Sequence, residues 1–128
     1  TYAWSDFAFR DDPQYGDNRL PVAPEHLYRA ELRYDAPQGW FVAPSVEWTP
    51  RGAYVDFANT TRAPSYAVAH LNAGRTFRSG VSVFVDLRNV TDEAYVSNVQ
   101  PVIAAGPATA AYWPGERRSV FAGLVLDF

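Results

Sequence analysis

Cysteine is absent from the 128 residues, which removes disulfide frameworks, thiolate metal sites and cysteine nucleophiles together. A basic surplus is missing as well: the formal net charge is −3, with no block of like charges, so nucleic acid is not an expected partner. No stretch approaches the roughly 18 consecutive apolar residues that a membrane-spanning helix requires. The chain opens on Thr1 with neither methionine nor a leader-like segment, and is expected to be a piece of something longer. What it has in excess is aromatic. Eight Tyr, eight Phe and four Trp amount to 16% of residues, a bias toward β-structure and interfaces.

Period-two alternation runs through most of the chain. It is clearest over 118–128, where Val120, Ala122, Leu124, Leu126 and Phe128 share one wholly apolar face. The opposite face carries Ser119, Phe121, Gly123, Val125 and Asp127, which is smaller and more mixed. Six strands are expected, over 1–10, 26–34, 40–49, 66–77, 81–88 and 118–128, with no helix. In 26–34, Tyr28, Ala30, Leu32 and Tyr34 oppose Arg29, Glu31 and Arg33. In 40–49, Trp40, Val42, Pro44, Val46 and Trp48 form one face, and Pro44 predicts an edge position or a bulge because it removes a ladder donor. In 66–77, Ala67, Ala69, Leu71 and Ala73 oppose His70, Asn72 and Gly74. In 81–88, Val81, Val83, Val85 and Leu87 oppose Ser82, Phe84, Asp86 and Arg88.

The connections alternate in length. Long ones fall at about 11–25, 50–64 and 93–117, and short ones at 35–39 and 78–80. A meander so connected carries all its long loops on one side, as transmembrane β-barrels do. On that topology Tyr34, Trp40, Phe77 and Phe128 collect at the short-turn end, and Tyr28 and Trp48 toward the long loops, as two aromatic belts. Strands of about 9–12 residues are expected, close to what a tilted strand needs to cross the hydrocarbon. Six strands cannot close such a barrel, so the expectation is an all-β antiparallel segment of a larger one.

Three stretches then carry a family resemblance. Leu20-Pro-Val-Ala-Pro24 followed by His26 resembles the Pro-rich entry to a late strand of TonB-dependent outer-membrane receptors of the siderophore-receptor type. Asp86-Leu-Arg-Asn-Val-Thr-Asp-Glu-Ala-Tyr95 is similar to their recurrent Asn-Leu-x-Asp element, and Tyr112-Trp-Pro-Gly-Glu-Arg-Arg118 with Gly123 and Phe128 resembles their closing strand. The resemblance implies that 1–128 is the C-terminal portion of a plugged barrel of about 22 strands. It further implies a receptor in the bacterial outer membrane that imports a scarce nutrient, most often a ferric siderophore, with energy from the TonB system. Nothing in the chain matches the plug domain, so energised transport is expected to need the missing part. Outer-membrane lipid and the barrel-assembly machinery are the other implied partners. Gly123, Leu126 and Phe128 resemble the assembly signal, with Leu126 in place of an aromatic and Phe121 where a polar residue is usual.

Candidate site residues follow from facing. Arg29, Glu31, Arg33, Glu47, His70, Asp86 and Arg88 are expected to face the lumen, as wall-stabilising ion pairs or as contacts to ligand or plug. On the lipid face each such charge would cost about 2–4 kcal/mol at the bilayer midplane. Tyr95, Tyr112, Trp113 and Arg117 fall in the longest loop, where aromatic-plus-Arg surfaces suit stacking and cation–π recognition, or simply loop packing. No enzyme is expected: Asp86 and Glu47 lack a nucleophile, and there is no Gly-x-Ser-x-Gly elbow. No cofactor or metal is expected from two histidines, His26 and His70, on different strands. The rival classes are a soluble antiparallel β-barrel or sandwich that binds a ligand, and a small structural outer-membrane barrel.

Overall fold

The computed structural model describes residues 1–109 and 111–126. Every regular element among them is a β-strand: β1 Tyr2–Trp4, β2 His26–Glu31, β3 Tyr34–Asp35, β4 Trp40–Thr49, β5 Tyr66–Thr76, β6 Val81–Arg88, β7 Val96–Val99, β8 Tyr112–Pro114 and β9 Ser119–Leu126. A seven-stranded sheet has the order β1-β2-β4-β5-β6-β9, with β3 also paired to β4, and β7 and β8 form a separate two-stranded sheet. This is the antiparallel meander that the alternation predicts. The two tight turns end on Gly39 and Gly80, whose φ of 85° and 81° are conformations a side chain would disfavour.

Four expectations need correction. The strand over 1–10 is only Tyr2–Trp4, because Phe7 and Phe9 leave the ladder to pair with Leu20 and Asn18 inside the first long connection. The strand over 26–34 is split between β2 and β3, and the split answers the puzzle of Pro44. Leu32 donates to the Pro44 carbonyl at 3.1 Å, but Pro44 has no N–H to return, so the ladder is interrupted there although β4 is not an edge. Strand lengths therefore run from 2 to 11 residues rather than 9–12. Finally, the connection over 93–117 is not all loop, since it contains the β7–β8 hairpin.

Two compact units divide the chain. Unit 1 comprises Thr1–Tyr28, Trp48–Ala67 and Ala94–Gly115. Its core is built by the long connections, with Val55, Ala63, Val99 and Ala111 buried and Val96, Val102 and Ala105 packed against them. Main-chain bonds stitch these segments together: Val102 donates to Val55 at 3.1 Å, Phe57 to Val102 at 3.0 Å and Gln100 to Ala111 at 2.9 Å. Tyr2, Tyr28 and Trp48 form an exposed ladder, with stacked ring centroids 4.8 and 5.1 Å apart. Tyr28 and Trp48 of this ladder are the two aromatics expected toward the long loops.

Unit 2 comprises Arg29–Glu47, Val68–Glu93 and Glu116–Phe128, of which the last two residues lie outside the described set. Its registers establish the facing. Leu71, Leu87 and Val120 stand in line across β5, β6 and β9, as do Ala73, Val85 and Ala122. The intervening rows are Asn72, Asp86 and Phe121, then Gly74, Phe84 and Gly123. Directly opposed residues share a face, so in these rows the aliphatic side chains fall on one face and Asn72 and Asp86 on the other. Along β4 the exposure is the reverse of a soluble strand. Trp40, Val42, Pro44, Val46 and Trp48 are exposed, whereas Ala43 and Thr49 are buried and Ser45 and Glu47 half-buried. Tyr34, Trp40 and Phe77 are exposed near the tight turns, as the second belt requires.

Candidate functional site

The polar face of unit 2 encloses a concavity of about 420 Å³. Spacing of two along each strand delivers its lining: Glu31 and Arg33, Ala43 and Ser45, His70 and Asn72, Asp86 and Arg88. The small side chains of Ala43 and Ser45 on β4 leave the room, and the longer ones from neighbouring strands surround it. Five of the seven residues assigned to the lumen, Glu31, Arg33, His70, Asp86 and Arg88, meet here.

Most of the charges are already engaged. Arg88 holds Asp86 at 2.8 Å and Glu116 at 3.7 Å, and its guanidinium lies 4.5 Å from the Phe121 ring centroid. Arg33 holds Asp35 at 2.9 Å and lies 4.2 Å from the Phe41 centroid. Arg29 and Glu47, the other two candidates, pair at 2.6 Å. Asp86 and Glu47 thus each face an arginine. The Asn89 N–H donates to His70 Nδ1 at 3.3 Å. Glu31, His70 and Asp86 share the concavity, yet no group of three or more His, Cys, Asp or Glu residues able to hold a metal occurs among the described residues.

Of the loop candidates, Tyr95, Tyr112 and Trp113 belong to unit 1. Tyr112 and Trp113 lie on β8 opposite Val99 and Asn98, and Trp113 is 59% exposed. Tyr95 is instead committed to packing: its ring lies 5.0 Å from that of Tyr66, and a Cβ on Gly115 would overlap it. Arg117 belongs to unit 2, where it pairs with Asp92 at 2.7 Å. Asp92 also accepts from the Arg118 N–H at 3.0 Å. That backbone bond, against a smaller opposing effect of burial and together with Arg117, holds its carboxyl below the usual range. Of the assembly residues, Gly123 lies under the Phe84 ring and Leu126 stands exposed opposite Val81. Phe128 lies outside the described residues.

Two buried polar residues were not singled out by the sequence. Asn89 is 1% exposed and bridges the two family-like motifs. Its Nδ2 donates to the carbonyls of Glu93 at 2.8 Å and Glu116 at 2.9 Å, while its Oδ1 accepts from the Glu93 N–H at 2.8 Å. Asp56 is 0% exposed in unit 1. Burial works against its ionisation, but the Thr60 hydroxyl and the N–H groups of Ala105, Thr61 and Thr60 outweigh it, so the carboxyl titrates below its ordinary value. The signal for Asp56 was present as an Asp followed by Asn59-Thr60-Thr61, a local side-chain-to-backbone pattern. Its long-range partner Ala105 carried no such signal.

The geometry in unit 2 is therefore a stretch of meander with an exposed apolar face and a charged concavity on the other, its motifs clasped at Asn89. Residues 1–90 match the family described as TonB dependent receptor-like, beta-barrel. No curated protein matches the chain. Among solved structures, the siderophore receptor PiuA from Acinetobacter baumannii is similar with a TM-score of 0.70, at 22% identity over 86% of this chain. The matched region is 15% of that receptor's chain, so this chain spans a small part of it, and at such identity the likeness concerns the fold. With the matched family covering most of the chain and the meander agreeing in fold, the chain belongs to the TonB-dependent receptor β-barrel family.

Proposed function

We propose that residues 1–128 are the C-terminal portion of a barrel of about 22 strands in the bacterial outer membrane, part of a receptor that binds and imports a ferric siderophore. TonB supplies the energy through a plug domain that this chain does not contain. The observation that carries the reading is the inverted exposure of β4, with tryptophans, valines and a proline outside and Ala43, Ser45, Glu47 and Thr49 inside. Family membership and the likeness in fold to the siderophore receptor PiuA support it.

The role of this portion is passive. Its apolar face meets lipid, its final strand supplies the closing edge, so that no unpaired main chain is left in hydrocarbon, and its charged concavity lines the transport path. Arg33 and Arg88 are held by carboxylates on one side and rings on the other, which presents fixed donors to an anionic chelate or to the plug. Tyr112 and Trp113, exposed on their hairpin, are the ring surfaces available for an aromatic chelator.

The test is uptake of radio-iron by cells expressing the full-length protein, across hydroxamate, catecholate and carboxylate siderophores. Uptake of one class that disappears on deleting either the gene or TonB supports the reading. Uptake unchanged by both deletions for every class, with the protein in the outer-membrane fraction, rejects the ligand assignment; recovery only in soluble fractions rejects the barrel assignment.

A further inference from the structure

One charged side chain stands among the apolar residues of the outward face. Arg75 on β5 is directly opposite Val83 on β6, and Val83 is opposite Leu124 on β9, so the three share that face. The guanidinium stacks against two aromatic rings, 4.7 Å from the Trp40 centroid and 4.6 Å from that of Phe77. Its Nε is covered and unbonded, the side chain is half-buried, and no hydrogen bond from its Nη atoms occurs among the described residues. Arg19, Arg29, Arg33, Arg88 and Arg117 each hold a carboxylate within 4.0 Å; Arg75 has none among the described residues.

Depth explains why such a cation is tolerated. An outward arginine costs about 2–4 kcal/mol at the bilayer midplane and about 0–1 near the interface. Arg75 lies just before the turn in which Gly80 donates to Phe77, beside exposed Trp40 and Phe77, which is where headgroups begin. A guanidinium stacked on rings keeps its edge donors free, and those donors match the forked geometry of a phosphate.

We propose that Arg75 is a lipid anchor: its Nη donors bind the headgroup phosphate of a glycerophospholipid in the leaflet at the tight-turn end, while Trp40 and Phe77 hold the guanidinium at that depth. The inference rests on the membrane reading above. The rings also distinguish the source of the phosphate. Exposed apolar surface beside the cation suits a lipid's glycerol and acyl region, and offers nothing to a free inorganic ion.

The experiment uses the full-length protein, first checked for insertion into phosphatidylcholine vesicles, then titrated in detergent with short-chain phosphatidylglycerol and read by native mass spectrometry. Retention of phosphatidylglycerol but not of the matching diacylglycerol is expected. Arg75→Gln should lower the retained fraction about tenfold, the loss of one charge-assisted hydrogen bond, Arg75→Lys should restore part of it, and Arg78→Gln in the neighbouring turn should leave it unchanged. Equal retention by wild type and Arg75→Gln overturns the proposal, as does complete displacement of the lipid by inorganic phosphate. A protein that enters no bilayer overturns the membrane reading itself; one that inserts but fails the Arg75→Gln contrast overturns only the anchor.

Discussion

Replacing Asn89 by alanine tests how the two motifs hold together. The side chain makes three hydrogen bonds to main-chain groups of Glu93 and Glu116 and is 1% exposed. Each main-chain group left without a partner in a buried site costs roughly 1–3 kcal/mol. Glu93 and Glu116 are themselves exposed residues, so water recovers part of that loss. Asn89 also adopts a φ of 47°, which asparagine tolerates and alanine does not, adding about 1–2 kcal/mol. The expected destabilisation is about 3–5 kcal/mol, combining both contributions. Asn89→Gly relieves the backbone strain but not the lost bonds, and should be about 1 kcal/mol less damaging than alanine. Asn89→Asp keeps the acceptor for Glu93 N–H but replaces Nδ2 and both its N–H donors by one oxygen facing two carbonyls, and should be no more stable than glycine. Urea unfolding of the full-length protein in detergent micelles, followed by tryptophan fluorescence, measures all three. Asn89→Ala within 0.5 kcal/mol of wild type, or Asn89→Asp indistinguishable from it, would refute the reasoning.

Three other outcomes follow from the same geometry. Asp56→Ala should loosen the long connections by about 3 kcal/mol, several charge-assisted bonds being lost at once, and expose them to limited proteolysis. Because the folded carboxyl titrates below its ordinary value of 3.8, its contribution is complete above that pH and declines as the pH falls through the lower folded value, so loop protection should fail only in strong acid; loss of protection between pH 5 and 7 would point to another group. Val85→Arg, on the apolar row between Ala73 and Ala122, should cost about 2–4 kcal/mol if that row lies at mid-depth and lower the amount of protein recovered in membranes, whereas unchanged recovery would argue against lipid there. Gly115→Val must displace the Tyr95 ring and should weaken the β7–β8 hairpin by about 1–3 kcal/mol, read as faster cleavage in that segment.

Much of the fold was legible because alternation survives translation into structure where strands are long. β4 and β6 have the bounds expected of them, and β5 ends one residue short. Alternation over 26–34 was also right in facing, but pattern alone could not show that Pro44 would interrupt the partner across the ladder. The N-terminal segment misled because Phe7 and Phe9 look like strand residues while their partners, Leu20 and Asn18, lie on the far side of a turn. In the site, facing was enough to collect Glu31, Arg33, His70, Asp86 and Arg88 around one concavity. Tyr95 and Arg117 have the residue types of a recognition surface, yet one ring packs over Gly115 and the other cation neutralises Asp92. Asp56 and Asn89 were missed because satisfying main-chain groups at long range leaves little trace in local sequence.

The central claim is that one face of this meander meets lipid and the other water, and with no cysteine among these 128 residues each position in them is open to a single label, once any cysteine elsewhere in the full-length protein is replaced. Single cysteines at Ser82, Val83, Phe84, Val85 and Asp86 in the full-length protein would carry spin labels, and each label's collision rates with oxygen and with a water-soluble nickel chelate would be recorded in lipid vesicles. The account predicts strict alternation, with labels at 83 and 85 preferring oxygen and labels at 82, 84 and 86 preferring the chelate. Uniform access to the chelate along β6, or the opposite phase, would contradict it.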